Sequence, residues 1–320
     1  MKPLQIAHPH SAIDRSSDLR EKPEELEKLW EKAKIIHIAR QKFLTHSERP
    51  KYLTASEIKN LPSNFIPGLR IFLGILDGQP FFAYCTDLKS EKISQFDLAN
   101  EELIGSEFEE YKTLRETDGL FNEFELGICV HAQALSNWHH AHPYCAKCGA
   151  TTTAAKGGTI RICDSCGSEH FPRIDNAIIV LLRDKSDRII LGRQHIWPER
   201  RFSCFAGFVE PGESFEQTVE REVLEEAGVG VSEIRYLGSQ PWPFPSSLMI
   251  AFEAVTDNPT AARPDGNEIE EIRWFSRAEM KQAITDATLI LPLDISVARQ
   301  MINGWYGDDA AKDLKGSESW

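Results

Sequence analysis

The chain has 320 residues and a formal net charge of −13, from 36 basic and 49 acidic side chains. This length allows two or more domains, and the acidic balance argues against nucleic-acid binding through a broad basic surface. It does not exclude an anionic substrate, because divalent metal ions can lie between carboxylates and a phosphate. The sequence has no apolar run long enough to cross a membrane and no apolar secretory signal, so we expect a cytoplasmic protein.

Residues 1–140 are predicted to form an N-terminal α+β domain. Lys22–Lys34 is a polar run that favours a helix, and the run that follows it is apolar and β-prone. Two apolar runs in Arg70–Cys85 flank Asp77-Gly78, which is typical of a β-hairpin. Asp118–His140 has apolar residues at roughly helical spacing. This region contains no catalytic constellation, so we expect it to support the rest of the chain or to help build a homodimer.

Residues 141–172 are predicted to form a zinc ribbon. Two C-x-x-C pairs are separated by 14 residues, and a glycine follows each pair. Four thiolates at this spacing suit one tetrahedral, structural Zn²⁺ per chain. A redox site would need only one pair and nucleic-acid binding suits a more basic chain, so both are weaker alternatives. The predicted ligands are Cys145, Cys148, Cys163 and Cys166.

The chain has further histidines and cysteines outside this predicted ligand set. His139, His140 and His142 lie close in sequence and are possible competing ligands, but four cysteines already complete a tetrahedral site. The remaining cysteines are expected to be buried apolar residues; they are Cys85, Cys129 and Cys204.

Residues 173–310 are predicted to form a third domain. Asn176–Gln194 contains two apolar runs that flank a polar turn, which predicts a β-hairpin. Glu233–Val255 predicts two strands separated by a proline-rich loop. Ser276 suits the N-cap of a helix, and Asp294–Gly307 predicts a closing amphipathic helix.

Within this domain, Gly207–Val229 reads GFVEPGESFEQTVEREVLEEAGV, a glycine-containing loop followed by a glutamate-rich helix. Ser214 followed by Gln217 predicts a capping box at the start of the helix. Gly228 predicts the end of the helix.

Glu222, Glu225 and Glu226 are spaced so that they share one face of this helix. Their mutual repulsion contributes nothing to a purely structural helix, but a divalent cation that prefers oxygen ligands would relieve it. A solvated acidic face is the alternative interpretation.

The spacing in this segment resembles the Nudix box of Nudix hydrolases, G-x5-E-x7-R-E-U-x-E-E-x-G-U with U apolar, at every fixed position. The resemblance implies that divalent cations bridge a pyrophosphate and activate a water molecule. Glu222 and Glu226 would be catalytic metal ligands, and Glu225 a further ligand or base. Gly207 opens the box, and Arg221 would orient Glu213 through a salt bridge.

The same resemblance implies two metal-binding groups outside the box. The family uses the main-chain carbonyl of the residue before the box, which is Ala206 here. It also uses a glutamate a few residues before a tryptophan like Trp274, and this alignment selects Glu268 rather than Glu270 or Glu271.

The stretch SQPWPFPSS resembles the S-Q-P-W-P-F-P-x-S motif of the NADH pyrophosphatase subfamily at every fixed position. Its alternating prolines predict a stiff, extended course, and planar aromatic side chains suit nicotinamide and adenine. Each aromatic residue could equally belong to the core. The substrate-binding residues implied by the resemblance are Phe171, Phe208, Gln240, Pro241, Trp242, Pro243, Phe244, Pro245, Ser246 and Ser247.

The sequence therefore predicts an α+β chain with an N-terminal mixed domain, a zinc ribbon and a C-terminal Nudix fold, an α/β/α sandwich with a mixed sheet. The resemblance implies hydrolysis of NADH or NAD⁺ to nicotinamide mononucleotide and AMP, with more than one Mg²⁺ or Mn²⁺. Alternatives in the same class are removal of NAD caps from RNA and hydrolysis of ADP-ribose-type compounds. A non-catalytic NAD-responsive regulator is the alternative from another class, which the complete glutamate set disfavours.

Overall fold

The computed structural model describes residues 13–61, 68–86 and 109–315, which fall into two compact units. The described residues of the N-terminal unit lie within Pro9–Arg173 and Pro243–Ser246, and those of the C-terminal unit lie within Ile174–Trp242 and Ser247–Trp320. Within the described residues, no helix is both long and apolar enough to cross a membrane.

The N-terminal unit is built on a seven-stranded sheet in which the strand order is β3-β2-β1-β6-β5, with β4 paired to β1 and β7 paired to β2. The strands are β1 (Lys34–Ala39), β2 (Lys42–His46), β3 (Arg49–Pro50), β4 (Tyr52–Leu53), β5 (Leu69–Leu76), β6 (Gln79–Cys85) and β7 (Glu109–Thr113). The helices are α1 (Pro23–Trp30), α2 (Ala55–Lys59) and α3 (Glu123–Ala141).

Two sequence predictions for this unit are confirmed and one needs a correction. Asp77-Gly78 joins the antiparallel strands β5 and β6, and a helix, α3, occupies most of Asp118–His140. The first helix, however, ends at Trp30, and Lys34 already lies in β1. The chain changes from helix to strand here because isoleucines follow Lys34, and β-branched side chains pack well in a sheet interior.

Strand β1 is buried on both faces of the sheet. Ile36 and Ile38 pack in a cluster with Ile128 and Ala132 of α3, whereas Ile35 packs in the cluster that contains Trp30 at the end of α1. Alternating side chains of a strand point to opposite faces, so this short strand joins the two halves of the N-terminal core.

His37 of β1 is buried in a polar network inside this core. Its Nε2 lies 3.0 Å from Thr86 Oγ1 and its Nδ1 lies 2.6 Å from the Tyr111 hydroxyl. Burial lowers the pKa of His37 to about 4. The unfolded chain, with an ordinary histidine pKa, therefore binds more protons than the folded chain between about pH 6.5 and pH 4.

We therefore expect the N-terminal unit to lose stability as the pH falls through this window. The loss that is due to His37 should reach about 3 kcal/mol, and His37→Gln should remove this part of the pH dependence. Thermal unfolding of both proteins between pH 7.5 and pH 4 measures it. The exposed His46 provides the control His46→Gln, which should follow the wild type, and parallel curves for His37→Gln and wild type would contradict the expectation.

The cysteine module forms a small three-stranded sheet in the order β10-β9-β8. Its strands are β8 (Thr152–Ala155), β9 (Ile160–Cys163) and β10 (Glu169–His170). The hairpin of β8 and β9 leads directly into Cys163, because that residue pairs with Thr152 at the end of the ladder.

The C-terminal unit has a six-stranded mixed sheet in the order β14-β15-β11-β12-β16, with β13 paired to β11. Strands β11 and β15 are parallel, and the other pairs are antiparallel. The strands are β11 (Asp175–Asp184), β12 (Ile189–Gln194), β13 (Phe205–Phe208), β14 (Ser232–Trp242), β15 (Ser247–Thr256) and β16 (Ile269–Phe275). The helices are α4 (Phe215–Ala227), α5 (Arg277–Thr285), α6 (Val297–Tyr306) and α7 (Ala310–Asp313).

This sheet lies between two helical layers, as predicted. Along β11, Ile178 and Val180 pack in the cluster that contains Val219 and Val223 of α4. Ile179 and Leu181 pack instead in the cluster that contains residues of α5 and α6. Because both faces of β11 are covered, its sequence is a continuous apolar run rather than an alternating one.

Several local predictions for the C-terminal unit are confirmed. The hairpin of β11 and β12 is present, and Ser276 accepts the capping hydrogen bond at the start of α5. The proline-rich segment needs a correction, because the predicted loop is partly a strand. Ser239–Trp242 continues β14, and only Pro243–Ser246 forms the turn before β15. Strand β14 lies at the edge of the sheet, where the missing amide of Pro241 is tolerated.

Candidate functional site

Helix α4 is fixed at both ends by the residues that the sequence indicated. Ser214 and Gln217 form the capping box, with Ser214 Oγ accepting from the Gln217 amide at 3.2 Å. Gly228 ends the helix in the left-handed conformation, with φ 68°. Between these ends, Glu226 is buried whereas Glu225 is exposed.

The first glycine of the box makes room for a glutamate of the helix. A Cβ atom at Gly207 would lie 1.9 Å from the Glu222 carboxyl carbon, well inside van der Waals contact. Gly207 lies on β13 and pairs with Ile178 of β11. Any side chain at position 207 would therefore displace either the Glu222 carboxylate or the strand.

Arg221 joins the box through all of its N–H groups. Its Nε and Nη2 donate to the two carboxylate oxygens of Glu213 at 2.6 and 2.9 Å. Its Nη1 donates to Glu222 at 2.7 Å and to Glu225 at 3.1 Å, and Nη2 also donates to the Phe208 carbonyl at 2.9 Å. These five bonds use the five donors of a guanidinium, so none is left for a substrate in this arrangement.

The ion pair with Arg221 also sets the charge of Glu213. Together with a hydrogen bond from the Glu210 amide, it lowers the pKa of Glu213 to about 2. Thr218 adds a further hydrogen bond to the same carboxylate at 2.9 Å. Sequence reasoning missed Thr218, which lies outside the fixed positions of the box but one helical turn before Arg221.

Glu226 is a buried carboxylate that lacks full hydrogen bonding. Its Oε2 atom is buried without a hydrogen-bond partner in the described part of the chain. Burial, together with the nearby carboxylates of Glu268 and Glu222, raises the pKa of Glu226 to about 9. A hydrogen bond with the Ala206 main chain acts in the opposite direction. Of the five groups for which the sequence predicted metal binding, four lie near one another, namely Glu222, Glu226, Glu268 and the Ala206 main chain. The fifth, Glu225, is exposed.

A turn before β16 positions Glu268. Asp265 accepts hydrogen bonds from the amides of Glu268 and Ile269 at 3.1 and 2.7 Å. Gln194, the last residue of β12, donates to Glu268 Oε1 at 2.8 Å. Sequence reasoning missed Asp265 and Gln194. Asp265-Gly266 carries a turn signal, but the contact with Gln194 depends on strand pairing that no local pattern reveals.

The other two glutamates of this segment have a different partner. Arg193 forms ion pairs with Glu270 at 2.9 Å and with Glu271 at 3.4 Å. Glu268, by contrast, acts through its charge on the pKa of Glu226, and metal binding by Glu268 stays a prediction.

The residues of SQPWPFPSS have different environments. Gln240 is buried, and its amide group bonds the main chain at Ile295 O and Val297 N, each at 2.7 Å. Trp242 and Phe244 are half-buried. Among the remaining residues of the motif, Pro243 is buried, Ser246 and Ser247 are half-buried, and Pro241 and Pro245 are exposed.

Phe208 and Phe171 are both exposed large aromatic residues. Phe208 of the C-terminal unit has 60% of its surface exposed, and Phe171 of the N-terminal unit has 66%. Exposure on this scale is unusual for phenylalanine in a core. An aromatic ring must have an exposed face to stack on a ligand.

The four cysteines of the ribbon converge on one point. Their Sγ atoms all lie within 4.8 Å of one another, with 3.7 Å between Cys145 and Cys166 and 3.5 Å between Cys148 and Cys163. A tetrahedron with Zn–S bonds of about 2.3 Å has edges of about 3.8 Å. The arrangement therefore fits a Zn²⁺ ion and is too wide for disulfides.

Main-chain groups and one histidine surround the sulfur atoms. The amides of Lys147 and Ser165 point to Cys145 and Cys163 at 3.4 Å. His170 Nε2 lies 3.2 Å from Cys145 Sγ, a contact that sequence reasoning missed because it considered only histidines before the first cysteine. The three cysteines outside the cluster are buried, as predicted.

Comparison with known proteins agrees with this arrangement. Residues 172–292 match the NUDIX domain, and residues 140–171 match the NADH pyrophosphatase zinc ribbon domain. Residues 32–138 match the NADH pyrophosphatase-like rudimentary NUDIX domain. The chain therefore belongs to the Nudix hydrolases, in the NADH pyrophosphatase subfamily that carries this zinc ribbon.

Individual relatives are similar over most of the chain. The NAD-capped RNA hydrolase NudC of Mycobacterium bovis is 36% identical over 301 residues, which cover 91% of this chain and 92% of the relative. NudC of Mycobacterium tuberculosis has the same identity and coverage. The human NAD-capped RNA hydrolase NUDT12 is 37% identical over 195 residues, which cover 57% of this chain and 42% of that protein.

Proposed function

We propose that this protein hydrolyses the pyrophosphate bond of NADH and NAD⁺, giving AMP and reduced or oxidised nicotinamide mononucleotide. The observation that carries the proposal is the buried, incompletely bonded Glu226 carboxylate beside Glu222 and Glu268, in a complete Nudix box. A buried carboxylate without partners is costly, and a divalent cation is the partner that suits it.

Glu222, Glu226, Glu268 and the Ala206 carbonyl are the groups that would hold the divalent cations, Mg²⁺ or Mn²⁺. They fit because they are oxygen ligands, and because Glu226 has an oxygen atom that no group in the described part of the chain satisfies. When bound, such cations neutralise phosphate charge and lower the pKa of a coordinated water.

The other residues of the box prepare this arrangement. Arg221 ties the loop to the helix by hydrogen bonds to Glu213 and to the Phe208 carbonyl. It also holds the Glu222 carboxylate in place next to Gly207. Glu225 shares Arg221 but is exposed, with 58% of its side chain accessible. Because it is exposed, Glu225 is the candidate base for the attacking water, whereas Glu226 is enclosed.

Specificity for a dinucleotide requires groups other than the glutamates, because carboxylates and cations recognise only the diphosphate. The motif Ser239–Ser247 and the exposed rings of Phe208 and Phe171 supply planar and polar groups suited to nicotinamide, adenine and ribose. A segment stiffened by proline loses little entropy when it binds a ligand. Within the motif, Gln240 would act by fixing the main chain rather than by touching the substrate.

Removal of the NAD cap from RNA, which releases nicotinamide mononucleotide and leaves a 5′-monophosphate on the RNA, is the second candidate. The relatives from Mycobacterium bovis and human are named NAD-capped RNA hydrolases. The bond that would break is the same pyrophosphate bond, so the site described here serves both substrates. We further propose a homodimeric, cytoplasmic enzyme with domain boundaries near residues 140 and 172.

Turnover of NADH, NAD⁺, ADP-ribose and an NAD-capped RNA by the wild type, with product identification, tests these proposals. We expect AMP and a nicotinamide mononucleotide from the dinucleotides, with one solvent oxygen in a phosphate when the reaction runs in ¹⁸O water. Adenosine and an intact pyrophosphate among the products would contradict the proposed bond cleavage. A higher kcat/KM for the capped RNA than for NADH would favour the second candidate.

Trp242→Ala should lower kcat/KM for NADH about 10-fold to 100-fold, the range expected for loss of one base–aromatic stack. The effect on ADP-ribose should be smaller, because that compound has no nicotinamide. Steady-state rates for both substrates measure the difference. Tyr236→Ala is the matched control, since Tyr236 is an exposed aromatic on the same strand. An equal loss on both substrates would mean that Trp242 only supports the strand.

A further inference from the structure

The turn of the SQPWPFPSS motif is held by a side chain from the N-terminal unit. Pro243–Ser246 groups with that unit, whereas the strand residues on either side belong to the C-terminal unit. Asn137 of α3 donates from Nδ2 to the Pro243 carbonyl at 3.0 Å and to the Pro245 carbonyl at 2.9 Å. An amide nitrogen has two hydrogens, so both are used on this one turn.

The orientation of the Asn137 amide is set by its neighbour one helical turn earlier. Gln133 Nε2 donates to Asn137 Oδ1 at 2.6 Å, and Gln133 is itself buried, with 2% of its surface exposed. Residues four apart lie on the same helix face. Because the oxygen of Asn137 is occupied by this donor, its nitrogen is directed to the turn.

The turn needs such donors because of its composition. Proline has no amide hydrogen, so the alternating prolines remove the groups with which a turn usually satisfies its own carbonyls. A buried carbonyl without a partner is unfavourable, and Pro243 is buried. Asn137 thus supplies what the motif cannot supply for itself.

A second contact from the same unit fixes the aromatic residue between these two prolines. The Arg115 guanidinium carbon lies 4.7 Å from the centre of the Phe244 ring, within the range of a cation–π interaction. Phe244 also packs against the core cluster that contains Ile128 and Leu135 of α3. Phe244 is therefore an anchor of the turn in this structure.

We propose that Asn137, oriented by Gln133, is a positioning residue for the substrate-recognition motif, with Arg115 as a second anchor. It acts through the Pro243–Ser246 turn on Trp242, the residue directly before it in the chain. The expected effect of Asn137 on NADH hydrolysis rests on the proposed function. The two carbonyls of this turn depend on one donor residue, which lies 106 and 108 residues before them in sequence.

The test compares Asn137→Ala and Asn137→Asp with the wild type. Aspartate has the shape of asparagine but lacks its donors, so both variants should raise KM for NADH about tenfold, the effect of losing two neutral hydrogen bonds. The kcat should stay within about twofold, because the glutamates are untouched. His140→Ala is the control, since His140 is exposed on the same helix, and it should behave as wild type.

A second readout does not depend on any substrate. Hydrogen–deuterium exchange of a peptide covering residues 238–249 should be faster in both Asn137 variants than in the wild type and in His140→Ala. Unchanged exchange and unchanged KM would overturn the proposal. A wild type that does not split NADH would refute the proposed function, and the exchange measurement would then decide the anchoring separately.

Discussion

Glu226→Gln should lower kcat for NADH about a thousandfold while leaving the metal-free protein at least as stable as the wild type. The loss of activity follows from removing a charged ligand, since metal-assisted charge stabilisation contributes several kcal/mol in the transition state and about 4 kcal/mol corresponds to a thousandfold. The unchanged or higher stability follows from the buried Oε2 atom that lacks a partner. Without the cation, the raised pKa of Glu226 keeps its carboxyl group neutral near pH 7, so a neutral amide of the same shape should cost no more to bury.

Two measurements separate these effects. Steady-state rates with Mg²⁺ or Mn²⁺ report the activity, and thermal unfolding with and without the cation reports the stability. The wild type should gain stability when the cation is added, and Glu226→Gln should gain much less. Glu220→Gln, an exposed position on the same helix, should match the wild type in both. Near wild-type turnover by Glu226→Gln would rule out Glu226 as an essential ligand.

Cys163→Ser should lose the zinc and lower the melting temperature of the N-terminal unit by about 10 °C or more. Structural zinc contributes about 10–16 kcal/mol to the folding of zinc-finger peptides, and each kcal/mol moves the melting temperature of a domain of this size by about 2–4 °C. Cys163 ends the β8–β9 hairpin and accepts two main-chain contacts. Its loss should therefore disturb the ribbon directly.

Elemental analysis of freshly purified protein, with unfolding curves for each variant, checks this expectation. The wild type should contain about one zinc per chain that survives removal of Mg²⁺. Cys204→Ala is the control, because Cys204 is buried in the C-terminal core and is not a member of the four-cysteine cluster. It should keep its zinc, and a zinc-free wild type with normal stability would refute the structural role.

The parts of the site that local patterns encode were predictable from the sequence. The capping box of Ser214 and Gln217 and the stop at Gly228 depend on neighbouring residues. The three glutamates share a face because of helical periodicity alone. The cysteine cluster follows from two tight turns of fixed spacing.

The parts that depend on distant pairing were not predictable in this way. Gln194 reaches Glu268 because β12 and β16 are neighbours in the sheet. Asn137 reaches the motif across more than a hundred residues. The course of Ser239–Trp242 as a strand depends on its place at the edge of the sheet, which the alternating prolines alone do not reveal.

The edge position of β14 has one further consequence. An exposed edge strand offers unpaired amides and carbonyls on which another chain can add a strand, a common start of aggregation. At Pro241 that row of donors is interrupted, and the strand ends one residue later. Pro241, one of the prolines that stiffen the recognition motif, thus also disfavours intermolecular strand addition at this edge.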